Sequence, residues 1–290
     1  MNGFRRPAAA TRSFWRRLFP SPPGKGVTLA LTWIAILAII VIIVQWLPLR
    51  GYLLPAGLPN LEPSWSREFF GTDASGRSMI SRVLYGSRVS LLISLLATSI
   101  SFAIGSFIGL CAAFFGGAAR VAGEIVANTI LSIPSLLLLL AIVLALGPSV
   151  TVIIVGCSVI FIPQFMRLTR ANAATELAQE YVLAARGLGA SPMRIIFRDL
   201  LPNTVPSLIS YATLVLPAVI ILEGSLSFLG FGVPNPTPSW GNMIALGAQV
   251  DSINPWEVLI PCIFLFVTVY SFNTIGDYLG FRIAKRAGTE

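Results

Sequence analysis

The chain has 290 residues, of which 55% are hydrophobic and only 11% charged, against about 25% charged in an ordinary soluble domain. That balance excludes a water-soluble globular protein and points to a membrane. The formal charge of +8 is not a nucleic-acid footprint, because the basic residues sit at the ends of apolar runs rather than on one face.

A bilayer is crossed by about 20 apolar residues in a helix, which satisfies its own backbone hydrogen bonds there. Residues 1–26 form a basic tail with Arg5, Arg6, Arg12, Arg16, Arg17, Lys25 and no acid. The first predicted span is residues 27–47. It is longer than a signal-peptide apolar region and no A-x-A site follows, so an uncleaved helix is expected. Residues 48–88 read as an extracytoplasmic segment, in which Thr72 or Asp73 can cap a helix with Met79, Ile80, Val83 and Leu84 on one face, predicted to lie on the outer membrane surface. Residues 89–119 carry no charge over 31 residues and end at Gly116-Gly117. Residues 125–166 carry none over 42; this run is too long for one helix, and Gly147-Pro148-Ser149 divides it. A fifth span covers residues 208–231, interrupted by Pro217 and Glu223, and a sixth residues 258–281. The core, residues 89–281, thus holds five spans and a polar loop at 167–205, and residues 282–290 form a tail.

Orientation follows from Lys and Arg near the span ends. With the N-terminus inside, the tail, the 167–205 loop and the C-terminus (Arg282, Lys285, Arg286) are all cytoplasmic, and 15 basic residues lie inside against 5 outside. The five outside are Arg50, Arg67, Arg77, Arg82 and Arg88. The outer loop 233–257 has two acids and no base.

Several chemistries are missing. There is no His, hence no imidazole base or common metal ligand. Cys111, Cys157 and Cys262 are isolated in apolar runs without CxxC spacing. The only lysines, Lys25 and Lys285, lie in no phosphate-binding loop, so the chain is not itself an ATPase and no bound cofactor is expected. Intramembrane carboxylates cost roughly 2.5–3.5 kcal/mol, and only Glu223 and Asp277 approach a span. An ion-coupled carrier is therefore disfavoured and an external energy source favoured.

The polar island supplies a place for that source. After Arg167 and Arg170, residues 171–185 are rich in Ala, Glu, Gln and Leu and predict a helix. Gly187 and Gly189 stop it. Ser191-Pro192 is an N-cap followed by Pro at the first helical position, starting a second short helix to about Leu201, with Pro202 and Pro206 ending it. Met193, Ile195, Ile196, Phe197 and Leu200 are expected to be exposed, an apolar knob that needs a partner protein.

The stretch EYVLAARGLGASPMRIIFRDLLPN, residues 180–203, resembles the EAA loop of binding-protein-dependent ABC importer permeases. Leu183-Ala184-Ala185, Gly189 and Leu201-Pro202 have its spacing, with Leu183 in place of the Glu and Asp199 in place of an Ile. The Ala-Ala-Arg-x-Leu-Gly-Ala-Ser form is similar to the dipeptide/oligopeptide subfamily. Residues 70–91, with Gly71-Thr72-Asp73, Gly76-Arg77-Ser78, Ser81-Arg82 and Gly86-Ser87-Arg88-Val89-Ser90-Leu91, resemble a segment of its C-type permease, with Ser78 replacing an Asp. Ser225 to Gly232 and Pro236 to Gly241 resemble the segment at the end of its fifth span.

The resemblance implies an all-α integral membrane protein of type I importer permease fold, with six transmembrane helices, both termini inside and a cytoplasmic coupling helix. It implies a second permease, two ATPases carrying ATP and Mg, and an extracytoplasmic peptide-binding protein as partners. Ala184, Ala185, Gly189, Ser191, Pro192, Ile195, Leu201 and Pro202 would dock on an ATPase. Glu223, Ser227, Phe228 and Trp240 are the candidates for the pathway or its outer gate. The cargo is expected to be short peptides; a nickel complex or glutathione is the alternative.

Overall fold

The computed structural model describes residues 24–65, 68–250 and 254–287. The tail arginines Arg5, Arg6, Arg12, Arg16 and Arg17, together with Arg67 and the loop acid Asp251, lie outside the described residues. The described chain is helical, with two isolated antiparallel bridges, Pro55 to Arg77 and Thr72 to Ser78. In chain order the helices are α1 (Lys25–Ile43), α2 (Met79–Phe115), α3 (Gly117–Leu131), α4 (Ser135–Leu146), α5 (Val150–Leu177), α6 (Glu180–Gly187), α7 (Pro192–Phe228), α8 (Trp240–Gly247) and α9 (Trp256–Ala287).

Five of these, α1, α2, α5, α7 and α9, are long and apolar enough to cross a membrane, and the bent α3–α4 pair brings the number to six if it is one span. Its two arms meet at 88°. Pro134 explains the break: its ring pushes Ile133 away from helical geometry and supplies no N–H to continue the ladder. The break expected at Gly147 is present, with Gly147 at φ 85° and Ser149 capping α5 by accepting from the Val152 N–H at 3.2 Å.

Two sequence expectations are corrected. The stretch from residue 72 does not form a separate helix on the membrane surface. Ser78 is the N-cap position, and α2 then runs unbroken from Met79 into the second span. Met79 and Val83 are buried against Leu37, Trp240 and Met243, so the face read as lipid-seeking is a protein core. Nor do Thr72 and Asp73 cap a helix. The Thr72 hydroxyl donates to Leu58 O at 2.6 Å, and the Asp73 carboxylate holds a turn by accepting from the N–H groups of Ser75 and Arg77 and pairing with Arg77 and the buried Arg82.

The second correction concerns residues 191–228. Pro202 and Pro206 do not end a short helix, because α7 is continuous from Pro192 to Phe228. A widened π turn at Ile195–Leu200, closed by the Leu201 N–H donating to Ile196 O, stands immediately before Pro202. Widening the turn relieves the clash a proline ring makes with the carbonyl four residues back and absorbs its missing N–H.

The bundle is welded along α2 and α5. A Cβ at Gly105 would stand 2.6 Å from Ile162 O, and one at Gly109 2.5 Å from Met166 O. Gly105 and Gly109 thus form a G-x-x-x-G contact at which backbones touch. Hydroxyls on the same helix add polar links: Ser94 donates to Leu216 O on α7 at 2.6 Å and Ser101 to Ser158 O on α5 at 3.0 Å. α1 is held by α9, where the Trp33 indole N–H donates to Thr268 at 3.0 Å.

Candidate functional site

At one end of the bundle, α6 and the first turns of α7 form a knob. α6 begins with Glu180 and ends near Arg186, each sign suited to its end of the helix dipole. It stops in a Schellman motif: Gly189 N–H donates to Arg186 O and Ala190 N–H to Ala185 O, both at 3.0 Å, with Gly189 at φ 77°. Ser191 then caps α7, accepting from the Arg194 N–H at 3.4 Å, with Pro192 at the first helical position. The glycine turn and the Ser191-Pro192 helix start read from the sequence are therefore present, but the single helix expected over 171–185 is divided: residues 171–177 continue α5, the chain breaks at Ala178-Gln179, and α6 begins at Glu180.

The knob has an inside and an outside. Val182, Ile195, Ile196 and Leu200 are buried with Leu110 of α2 and Ala173 of α5. Ile195, Ile196 and Leu200 were expected to be exposed; they are instead the root that mounts the knob on the bundle, and Ile195 offers no surface to a partner. The outside carries Leu183, Leu188, Met193 and Phe197, with Leu188 89% and Met193 61% exposed. Ala184, Gly189, Ser191, Pro192 and Pro202 are exposed as well, and Ala185 and Leu201 half-buried.

Side chains that the sequence reading passed over brace the knob. Tyr181 Oη donates to Glu176 at the end of α5 at 2.5 Å and accepts from Asn203 Nδ2 of α7 at 2.8 Å. Burial, then the bond to Glu176, pushes the Tyr181 phenol up to about 12, so it remains a donor throughout the neutral range. The Arg186 guanidinium lies 5.0 Å from the centre of the Phe114 ring at the end of α2. Tyr181→Phe removes both bonds to the hydroxyl, each worth about 1 kcal/mol. Trypsin cleavage at Arg186 in the purified protein is expected to accelerate a few-fold, and an unchanged rate would show the brace to be idle.

At the other end of α7, Glu223 is buried and Phe228 exposed. Glu223 Oε1 accepts hydrogen bonds from Ser227 Oγ and Ser239 Oγ, each at 2.8 Å. Trp240, fully buried, donates from its indole N–H to Val83 O at 3.1 Å and from its backbone N–H to Ser90 Oγ at 3.1 Å. The structure therefore brings Glu223, Ser227 and Trp240 together where α7, α8 and α2 meet, and leaves Phe228 outside that cluster.

Residues 105–288 match the family model described as the inner membrane component of binding-protein-dependent transport systems. The chain belongs to that family. A di/tripeptide transport system permease of Pseudomonas aeruginosa is 38% identical over 75% of this chain and 73% of its own length. A dipeptide transport system permease of Alkalihalophilus pseudofirmus is 32% identical, covering 91% of this chain and 88% of its own. Among solved structures, the inward-facing MetNI methionine ABC transporter matches with a TM-score of 0.56 at 24% identity, over 71% of this chain and 97% of that one. The last comparison bears on the fold alone and agrees with an importer-permease bundle. The permease is accordingly a multi-pass bacterial inner-membrane protein. The match begins at Gly105, within α2, and takes in both the knob and the Glu223 cluster.

Proposed function

We propose that this permease imports short peptides, paired with a second permease, fed by an extracytoplasmic peptide-binding protein and driven by two ATPases that carry the ATP and Mg. Both termini and the knob then face the cytoplasm. This chain makes and breaks no covalent bond in that scheme.

The observation that carries the reading is the uncovered apolar outside of a rigidly rooted knob. Leu188, Met193 and Phe197 stand out from a braced platform instead of packing inward, which is the form of a docking surface. The cargo rests on the relatives, whose names specify dipeptides and tripeptides. α7 supplies the mechanical link. At about 1.5 Å per residue, its 37 residues reach some 55 Å, from the knob to the Glu223 cluster. Closure of the ATPases shifts the knob, and α7 carries the displacement to the far end, where the interface between permeases switches state.

The test is co-purification of the assembled complex with Phe197→Asp in this chain. The side chain is 52% exposed, so the fold tolerates the change, whereas an aspartate in a dry interface is expected to lower ATPase retention at least about tenfold. Undiminished retention would remove the knob as the docking site.

A further inference from the structure

Glu223 sits in a helix that spans the membrane and is 1% exposed. Its Oε1 takes one bond from Ser227, a helical turn further along α7, and one from Ser239, the N-cap residue of α8. Ser239 Oγ at the same time accepts from the Asn242 N–H at 3.1 Å, and Asn242 Nδ2 donates to Val233 O at 2.8 Å. A chain of bonds therefore runs from the carboxylate through the start of α8 into the loop 229–239. Around it the backbones are nearly in contact: a Cβ at Gly241 would lie 2.5 Å from Gly224 Cα, and one at Gly232 2.4 Å from Ser227 Cα. Among the described residues Glu223 Oε2 has no hydrogen-bond partner.

A carboxyl group so placed is an expensive way to hold two helices together, since it is taken out of water with one oxygen unpartnered, and an apolar side chain would pack more cheaply. The cost is offset only while the Ser227 and Ser239 hydroxyls face it. The group thus stabilises one arrangement, α8 and its loop seated on α7, far more than any other. It is also too deeply covered to meet a peptide unless the loop has already left. Beside it the α7–α8 seam opens to the surface as a cleft of ≈ 380 Å³ lined by Gly224, Ser225, Phe228, Leu229, Gly241 and Ile244 among others.

We infer that Glu223 is a positioning residue, a latch that seats α8 and the loop 229–239 on the far end of α7, so that opening this end of the pathway requires the Ser239–Glu223 bond to break. The word pathway here rests on the importer reading; the latch itself does not.

The experiment uses the assembled complex in lipid vesicles, with Cys111, Cys157 and Cys262 changed to Ala and Val233→Cys as a reporter. Val233 is 3% exposed, so a maleimide labels it slowly while the latch holds. Glu223→Ala and Ser239→Ala are expected to speed labelling at least about tenfold. Glu223→Gln keeps an acceptor oxygen of the same reach and is expected to restore most of the protection. Peptide uptake should lose Vmax, with the KM for loaded binding protein unchanged, equally for free and N-acetylated peptides. Unchanged labelling in both alanine variants overturns the latch, as does an uptake defect confined to peptides with a free ammonium. Faster labelling in the variants alongside a complex that imports no peptide even with Glu223 intact upholds the latch and refutes the cargo reading.

Discussion

Gly189→Glu is expected to reduce uptake by about a hundredfold or more while the permease still inserts and accumulates in the membrane. Gly189 has φ 77° and closes the Schellman turn between α6 and α7. An L residue there costs about 1–2 kcal/mol, too little to unfold a knob whose root is Val182, Ile195, Ile196 and Leu200. Among the described residues no atom beyond its two chain neighbours lies within 4 Å of the position its Cβ would take, so the substitution does not clash internally. The carboxylate instead enters the proposed docking surface between Leu188 and Met193, where an unpaired charge without water opposes association strongly. Uptake measured against the amount of protein in the membrane fraction checks this; normal uptake would mean that nothing docks at the turn.

Gly109→Leu is expected to fail differently, by loss of the folded protein. The new Cβ would stand 2.5 Å from Met166 O and 2.8 Å from Thr169 Cβ on α5. A backbone carbonyl cannot swing aside, so α2 and α5 must separate along their shared seam, at a cost of about 1–3 kcal/mol or more on a total stability of only about 5–15 kcal/mol. Gly26→Leu is the matched control, because among the described residues no atom beyond its own helix lies within 4 Å of its Cβ position in α1. Thermal unfolding of the two variants should show a clear loss for Gly109 and almost none for Gly26; equal behaviour would show that close packing at the seam is unimportant.

Local chemistry made much of this legible in the sequence. Charge-free runs mark the spans, Gly147-Pro148-Ser149 marks a real break, and the Gly189 stop followed by the Ser191-Pro192 start is the turn observed. What escaped is settled by contacts distant in sequence. Met79 and Val83 form an amphipathic face whether they meet lipid or Trp240, and only the fold brings Trp240 there. Ile195 and Leu200 read as a sticky surface until α2 supplies Leu110 beneath them. Pro202 is a helix stop by propensity, overridden by the π turn before it. The Gly105–Gly109 spacing was a signal available in the sequence that charge counting did not weigh. For Glu223 the carboxylate itself is visible in the apolar run, but its partner Ser239 lies 16 residues away across a loop, and burial follows from that pairing.

The most direct test of the central claim is ATP hydrolysis by the purified complex in lipid vesicles, measured with its binding protein and with di- to pentapeptides added singly. The account predicts that this chain purifies with a second permease and ATPase subunits, and that hydrolysis rises only when the binding protein and a peptide are both present. A chain that purifies without any ATPase, or hydrolysis indifferent to peptide, would contradict it.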